Sequence, residues 1–301
     1  MAEHDDSTAP RPWADAAVDH VLRRLVRQPA PPWLHGEIAR RMAERLAIVK
    51  LQPARIVDWW STLGGGAALL RETYPKAQIA AVEPTDAWVQ RRREAERTPW
   101  WSPRRRSAVQ VLREGDELGA PAQLVWANMM LHAVKDPPAL IARWQRALAP
   151  DGFLMFSSFG PDTLRELRAL YARLGWPAPT PAFVDMHDFG DMLVQAGFAD
   201  PVMDQETLML SWPTPQALLA ELRALGGNIA PDRMPGLRTP RWRARLEAAL
   251  QSLAGADGRL QASFEIAYGH AFKALPRARP GAPTTVSLEE MRALVRTRRP
   301  G

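Results

Sequence analysis

The sequence predicts an α/β protein built on a doubly wound, mostly parallel sheet. Short apolar runs alternate with amphipathic helical stretches, the connections between them are short, and a glycine cluster follows the first run directly before a helix. Strands of a parallel sheet are buried on both faces and read as continuous apolar runs, and the crossover helices cover those faces.

The first 33 residues are Pro-rich and polar, which gives an arm carrying one short helix near residues 14–26, able to fold over a ligand. Leu34, Ile38, Met42, Leu46 and Ile48 then recur at near-helical spacing, so an amphipathic helix is expected to end before Pro53. Residues 55–60 read as the first strand, followed by Gly64, Gly65 and Gly66 and by a helical stretch over 67–74. A second buried strand over 78–82 closes on Glu83 and Pro84, and a helix covers 86–97. Another strand spans 124–128.

Asp136 has the chemistry of a helix N-cap, with Pro137 in the first turn. The helix it starts presents Leu140, Ile141, Trp144 and Leu148 on one face and stops at the turn Pro150-Asp151-Gly152, before a strand over 153–156. Residues 186–198 form an expected helix closed by Gly197, and 202–210 a strand. Two amphipathic helices lie between 214 and 253, joined by the turn-rich stretch 226–240, and 261–273 is the last strand. The Arg/Pro-rich tail after Pro276 is expected to be poorly ordered. The resulting division is an arm (1–33), one domain (34–275) with a helical insertion at about 214–253, and a basic tail (276–301).

Composition narrows the function. At 301 residues with 46% hydrophobic side chains, the chain can bury a large core. It has no cysteine, which excludes disulfides, thiolate zinc sites and cysteine nucleophiles. Six histidines without paired spacing make no metal site. No apolar stretch reaches the roughly 18 residues of a membrane span, and the polar start is unlike a secretory signal, so a cytoplasmic protein is expected.

The net charge is +6, carried mostly by arginine, and fits either an acidic partner or a coding bias spread over the chain. Arg91 to Arg93 and Arg104 to Arg106 flank Trp100 and Trp101; such clusters contact phosphates or simply form solvated faces. No helix-turn-helix, zinc-finger or RNP pattern is present, so nucleic acid is not an expected partner.

Ligands of doubly wound sheets bind at the carboxyl ends of the strands, where the strand order reverses. Here that place holds the loop from Asp58 to Gly66, whose glycines allow close backbone approach or merely permit the turn. Glu83, ending the second strand, is placed to accept both hydroxyls of a ribose, or else is a solvated cap. Loop and acid together fit a nucleoside-containing cofactor.

Several segments occur in the order seen in the BioC-type malonyl-acyl carrier protein O-methyltransferases, and the chain resembles that family over residues 34–273. They are Asp58 with Gly64 to Gly66, Glu83, LVWANMMLHAVKDPP (124–138), the PDG turn, SSFGPDTLRELR (157–168), MHDFGDMLVQAGFADPVMDQE (186–206) and YGHAFK near the end. The resemblance implies a class I methyltransferase fold with seven strands and a helical lid inserted between the last two. It implies S-adenosyl-L-methionine as cofactor, held by Asp58, Gly64, Gly65, Gly66, Glu83, Asp116 and Asn128. The implied acceptor is the free carboxylate of a malonyl thioester on acyl carrier protein, an entry step of biotin synthesis. His132, Arg165 and Arg223 are the substrate-binding candidates, each with an equally simple reading as a loop histidine or a surface arginine; Arg168 is a further candidate of the same kind.

The loop departs from the family pattern. Trp59 to Leu63 stand where glycines usually alternate, so either an indole shrinks the cofactor pocket, or both rings enter the core and Gly64 to Gly66 take over the loop's role. An assembly or binding protein on the same fold, and a methyltransferase with another small-molecule acceptor, are the alternative functions.

Overall fold

The computed structural model describes residues 15–47, 49–97, 109–234 and 238–274. The tail, Ile48 and the Trp100–Arg106 cluster, on which expectations had been set, lie outside them. In chain order the elements are α1 (Asp15–Leu25), α2 (Trp33–Leu46), β1 (Arg55–Trp59), α3 (Ser61–Gly64), α4 (Ala67–Thr73), β2 (Gln78–Glu83), α5 (Asp86–Glu96), β3 (Gln110–Arg113) and β4 (Ala122–Ala127). There follow α6 (Pro137–Ala147), β5 (Leu148–Phe159), α7 (Arg165–Arg173), α8 (Met186–Gln195), β6 (Phe198–Trp212), α9 (Pro215–Ala224), α10 (Pro240–Gln251) and β7 (Leu260–Lys273).

The seven strands form one sheet in the order β3-β2-β1-β4-β5-β7-β6. Strands β1 to β5 pair in parallel, and β7 runs antiparallel to both β5 and β6. The order reverses between β1 and β4, so the ends of these two strands make the crevice where such sheets bind ligands. The α9–α10 insertion lies between β6 and β7 in sequence, where a lid was expected.

Alternation along the inner strands divides the core between the two faces, because successive side chains point to opposite sides. Ile56, Leu124, Trp126, Phe153 and Met155 pack with Leu34, Ile38 and Met42 of α2, with Leu70 of α4 and with Leu167 and Leu170 of α7. Their neighbours Val57, Trp59, Val125, Ala127, Leu154 and Phe156 pack with Ile141 and Trp144 of α6 and with Phe189 and Leu193 of α8. Asp136 caps α6 by accepting the Ala139 N–H at 3.0 Å, as its sequence position implied.

Some boundaries differ from expectation. The PDG turn lies inside β5, where Asp151 takes a left-handed φ of 58°, and the pairing register with β4 shifts nearby. Strand β3 and the single-turn helix α3 carried no usable period, whereas α7, with Leu167, Leu170 and Tyr171 at helical spacing, was not foreseen although its period is present. The N-terminal arm contributes α1, and its Leu22 and Leu25 are buried in the core.

Candidate functional site

At the end of β1 the chain turns through Trp60, whose φ of 50° is the left-handed conformation that ordinarily favours glycine. This turn sends the two tryptophans to different surroundings. Trp59 is fully buried against Trp144 of α6 in an edge-to-face contact, with ring centroids 6.1 Å apart. Trp60 joins the core that includes Leu22 and Leu25 and also borders a cavity. Both indole N–H groups donate to the two oxygens of one carboxylate, Glu114, at 3.2 and 2.9 Å. Sequence reading missed that anchor.

The expected cofactor residues gather around this loop, mostly engaged with one another. Asp58 accepts a hydrogen bond from the Ser61 hydroxyl, and burial raises its carboxyl to about 6. Glu83 is wholly buried; its Oε1 accepts from both the N–H of Thr62 (2.9 Å) and the Thr62 hydroxyl (2.6 Å). Its Oε2 has no partner among the described residues. Burial pushes Glu83 up to about 7 despite the Thr62 bonds.

Asn128 is buried too, donating to the carbonyls of His35 (2.7 Å) and Gly64 (2.6 Å) and accepting from the Ser157 hydroxyl. The three glycines are packed on protein. A Cβ would fall 3.2 Å from the Asn128 carbonyl oxygen at Gly64, 3.3 Å from Pro31 at Gly65, and 2.7 Å from the Trp126 indole nitrogen at Gly66. Neither outcome foreseen for the tryptophans is met in full: Trp59 is core, Trp60 stays at the cavity, and the glycine backbone does not line an open cleft.

Asp116 stands apart, exposed on the turn after β3, where its carboxylate accepts the Arg113 N–H at 2.8 Å. Arg165 is exposed as well and pairs with Asp162 and Glu166 on its own helix turn. The structure brings neither to the cavity.

The cavity has a volume of about 830 Å³ and opens over the ends of β1, β4 and β5. Its inner end is formed by Trp60, Leu63, Met129, His132 and His35, its walls by Phe159, Leu164, Leu167 and Tyr171, and its roof by residues of α1, α9 and α10 with residues 226–229, 233, 234 and 238. Two histidines therefore sit at the floor. The Leu63 carbonyl can only accept, so His35 donates its Nδ1–H there at 3.0 Å; its Nε2 is left as a buried acceptor without a partner. The Nδ1 of His132 is likewise buried and unpartnered, and its ring stacks obliquely on Phe159 at 4.5 Å. Burial lowers His35 to about 4 and His132 to about 3, the latter helped by His35, so both are neutral at physiological pH.

Arg223 borders the cavity mouth with Arg24, Arg233, Arg238 and Arg243, and no carboxylate is among the described lining residues. The segment after β5 is fastened beneath. Glu265 of β7 accepts the Asp162 N–H, and its backbone pairs with Gly160 and Thr163, while Glu166 receives the N–H of Ser263 at 3.0 Å. A Cβ at Gly160 would lie 2.7 Å from the Glu265 carboxyl carbon, which explains the glycine there.

The chain matches the methyltransferase-domain family model over residues 33–200. A malonyl-[acyl-carrier protein] O-methyltransferase of Laribacter hongkongensis is 38% identical over 254 residues, 82% of this chain and 84% of that protein. Another, from Gallionella capsiferriformans, is 39% identical over 256 residues, 83% and 87% of the two chains. Among solved structures, the YcgJ protein of Bacillus subtilis has the same fold, with a TM-score of 0.52 at 11% identity over 79% of this chain and 99% of its own.

Proposed function

This chain belongs to the malonyl-[acyl-carrier protein] O-methyltransferase family, and from that membership we propose that it O-methylates the free carboxylate of a malonyl thioester carried on acyl carrier protein, in the cytoplasm, for biotin synthesis. It is a methyltransferase, and S-adenosyl-L-methionine is its cofactor. The observation that carries the acceptor reading is the cavity itself: apolar walls, a cationic mouth without carboxylates, and a floor of neutral histidines over the strand ends.

The residues at the end of β2 are compatible with the cofactor. Glu83 Oε2, buried and unpartnered, is an acceptor suited to a ribose hydroxyl; Oε1 becomes the second acceptor once Thr62 yields it. The cofactor supplies an electrophilic methyl group on a sulfonium. What remains for the protein is alignment and exclusion of water, since a malonyl carboxylate is already ionised at neutral pH and needs no general base. A cavity with apolar walls suits such a transfer because charge is neutralised in it. His132 is placed to orient the acceptor at the floor, and Arg223 to attract its anionic carrier at the mouth.

Mass spectrometry of malonyl-acyl carrier protein after incubation with enzyme and cofactor should show the added methyl group. The Thr62 bonds to Glu83, together with the packed glycines and Trp60 at the cavity, favour a binding protein on this fold instead. Calorimetry that detects no binding of cofactor or its demethylated product at millimolar concentration would decide for that second reading.

A further inference from the structure

Several arginines of this protein meet a carboxylate on another element: Arg41 with Glu206, Arg45 with Asp204 and Arg71 with Glu96. The cavity mouth is different. Arg24, Arg223, Arg233 and Arg238 border it without a salt bridge among the described residues, and only Arg243 has one, to Glu247. Arg24 is held most firmly. Its Nη2 crosses from α1 to the end of α9 and donates to the carbonyls of Arg223 (2.9 Å) and Gly226 (2.5 Å).

That placement leaves the Arg24 Nε–H buried with no acceptor among the described residues. It also sets a second guanidinium, that of Arg223, close by: burial first, and then the Arg223 charge, lowers the Arg24 pKa. A buried donor without a partner and two adjacent like charges both cost stability, and one multidentate anion relieves both. Guanidinium groups match phosphate oxygens in geometry and charge. Between the arginines and His132 the lining includes Leu222, Leu219 and Leu167, which suit the uncharged stretch of an arm that links an anion at the mouth to the acceptor at the floor.

We infer that Arg24 and Arg223 form a seat for a phosphate ester at the cavity mouth, filled by the phosphate that joins a pantetheine arm to its carrier protein. The inference rests on the carrier reading above and adds the group that fixes the arm's depth. Helix α1 then belongs to the substrate site, because its arginine ties the arm to the lid.

Competition binding to the full-length protein tests this with three probes, 4′-phosphopantetheine, pantetheine and inorganic phosphate. The phosphorylated arm should bind about tenfold or more tightly than either of the others, the loss expected for one charged hydrogen-bonding partner. Arg223→Gln and Arg24→Gln should each bring the ratio of phosphopantetheine to pantetheine affinity close to one. Arg223→Gln leaves the carbonyls that hold Arg24 in place, so its effect is separate from any loosening of α1. Equal binding of phosphopantetheine and pantetheine by the wild type, no binding of the phosphorylated arm at millimolar concentration, or a preference that survives both substitutions would overturn the seat. Inorganic phosphate binding as tightly as phosphopantetheine would overturn its assignment to the arm. None of the probes carries a malonyl group, so failure of methyl transfer leaves the seat readable, and absence of the phosphate preference with methyl transfer intact removes the seat alone.

Discussion

Glu83 shows how far a single residue can be read from sequence. Its position at the end of β2 marked it as the ribose acceptor, but its occupant Thr62 lies in the single turn α3, whose entry depends on Trp60 adopting a left-handed φ, and no local pattern announces that. The consequence is a pH dependence. Burial raises Glu83 to about 7 and Asp58 to about 6, so their contribution to stability is present below the ordinary carboxylate range and is lost as pH rises through those values. Ligand binding runs the other way, because ribose hydroxyls donate and the ionised carboxylate is the better acceptor. Cofactor affinity measured by calorimetry should rise roughly tenfold from pH 6 to pH 8. Glu83→Gln should flatten that profile and weaken binding at pH 8 by about tenfold to a hundredfold. A pH-independent affinity would mean that the carboxylate stays with Thr62 throughout.

At the scale of elements, the inner strands were legible as continuous apolar runs and most helices by their helical spacing of apolar residues, whereas β3 is four half-exposed residues and α3 is a single turn. The FGPDT segment stood out in the sequence as the family's own; the structure explains it through Glu265, which sits directly against Gly160 and pairs with the backbone around Thr163. The glycine triplet shows the limit of such reading. Glycine was required, but by packing: Gly66 lies against the Trp126 indole, with Trp126 fully buried beneath the loop. Gly66→Ala should therefore destabilise the protein by about 1 to 3 kcal/mol, the usual cost of forcing a methyl group into a filled core, seen as a lower Tm in calorimetric unfolding. Unchanged stability together with weakened cofactor binding would instead show that the glycine serves the ligand.

Taken whole, the molecule carries a net charge of +6, a figure that fits a coding bias as well as it fits an acidic partner. The distribution adds information that the sum lacks. Interior-facing arginines such as Arg71 and Arg92 meet Glu96, whereas the cavity mouth gathers five arginines and no acid among its described lining residues. A field of one sign at an opening mainly raises the rate of encounter with a partner of the other sign, and salt weakens it. With carrier-bound malonate, kcat/KM should fall as the Debye length shrinks from about 10 Å at 0.1 M to about 3 Å at 1 M salt. Malonyl-pantetheine lacks both the acidic carrier and the phosphate, so its kcat/KM should change much less over the same range. Arg223→Glu should raise KM for the carrier-bound substrate and leave cofactor affinity close to wild type, since Arg223 borders the mouth while Glu83 lies sealed at the end of β2. Equal salt sensitivity for the two substrates would separate the basic mouth from carrier recognition and return the charge of the chain to composition alone.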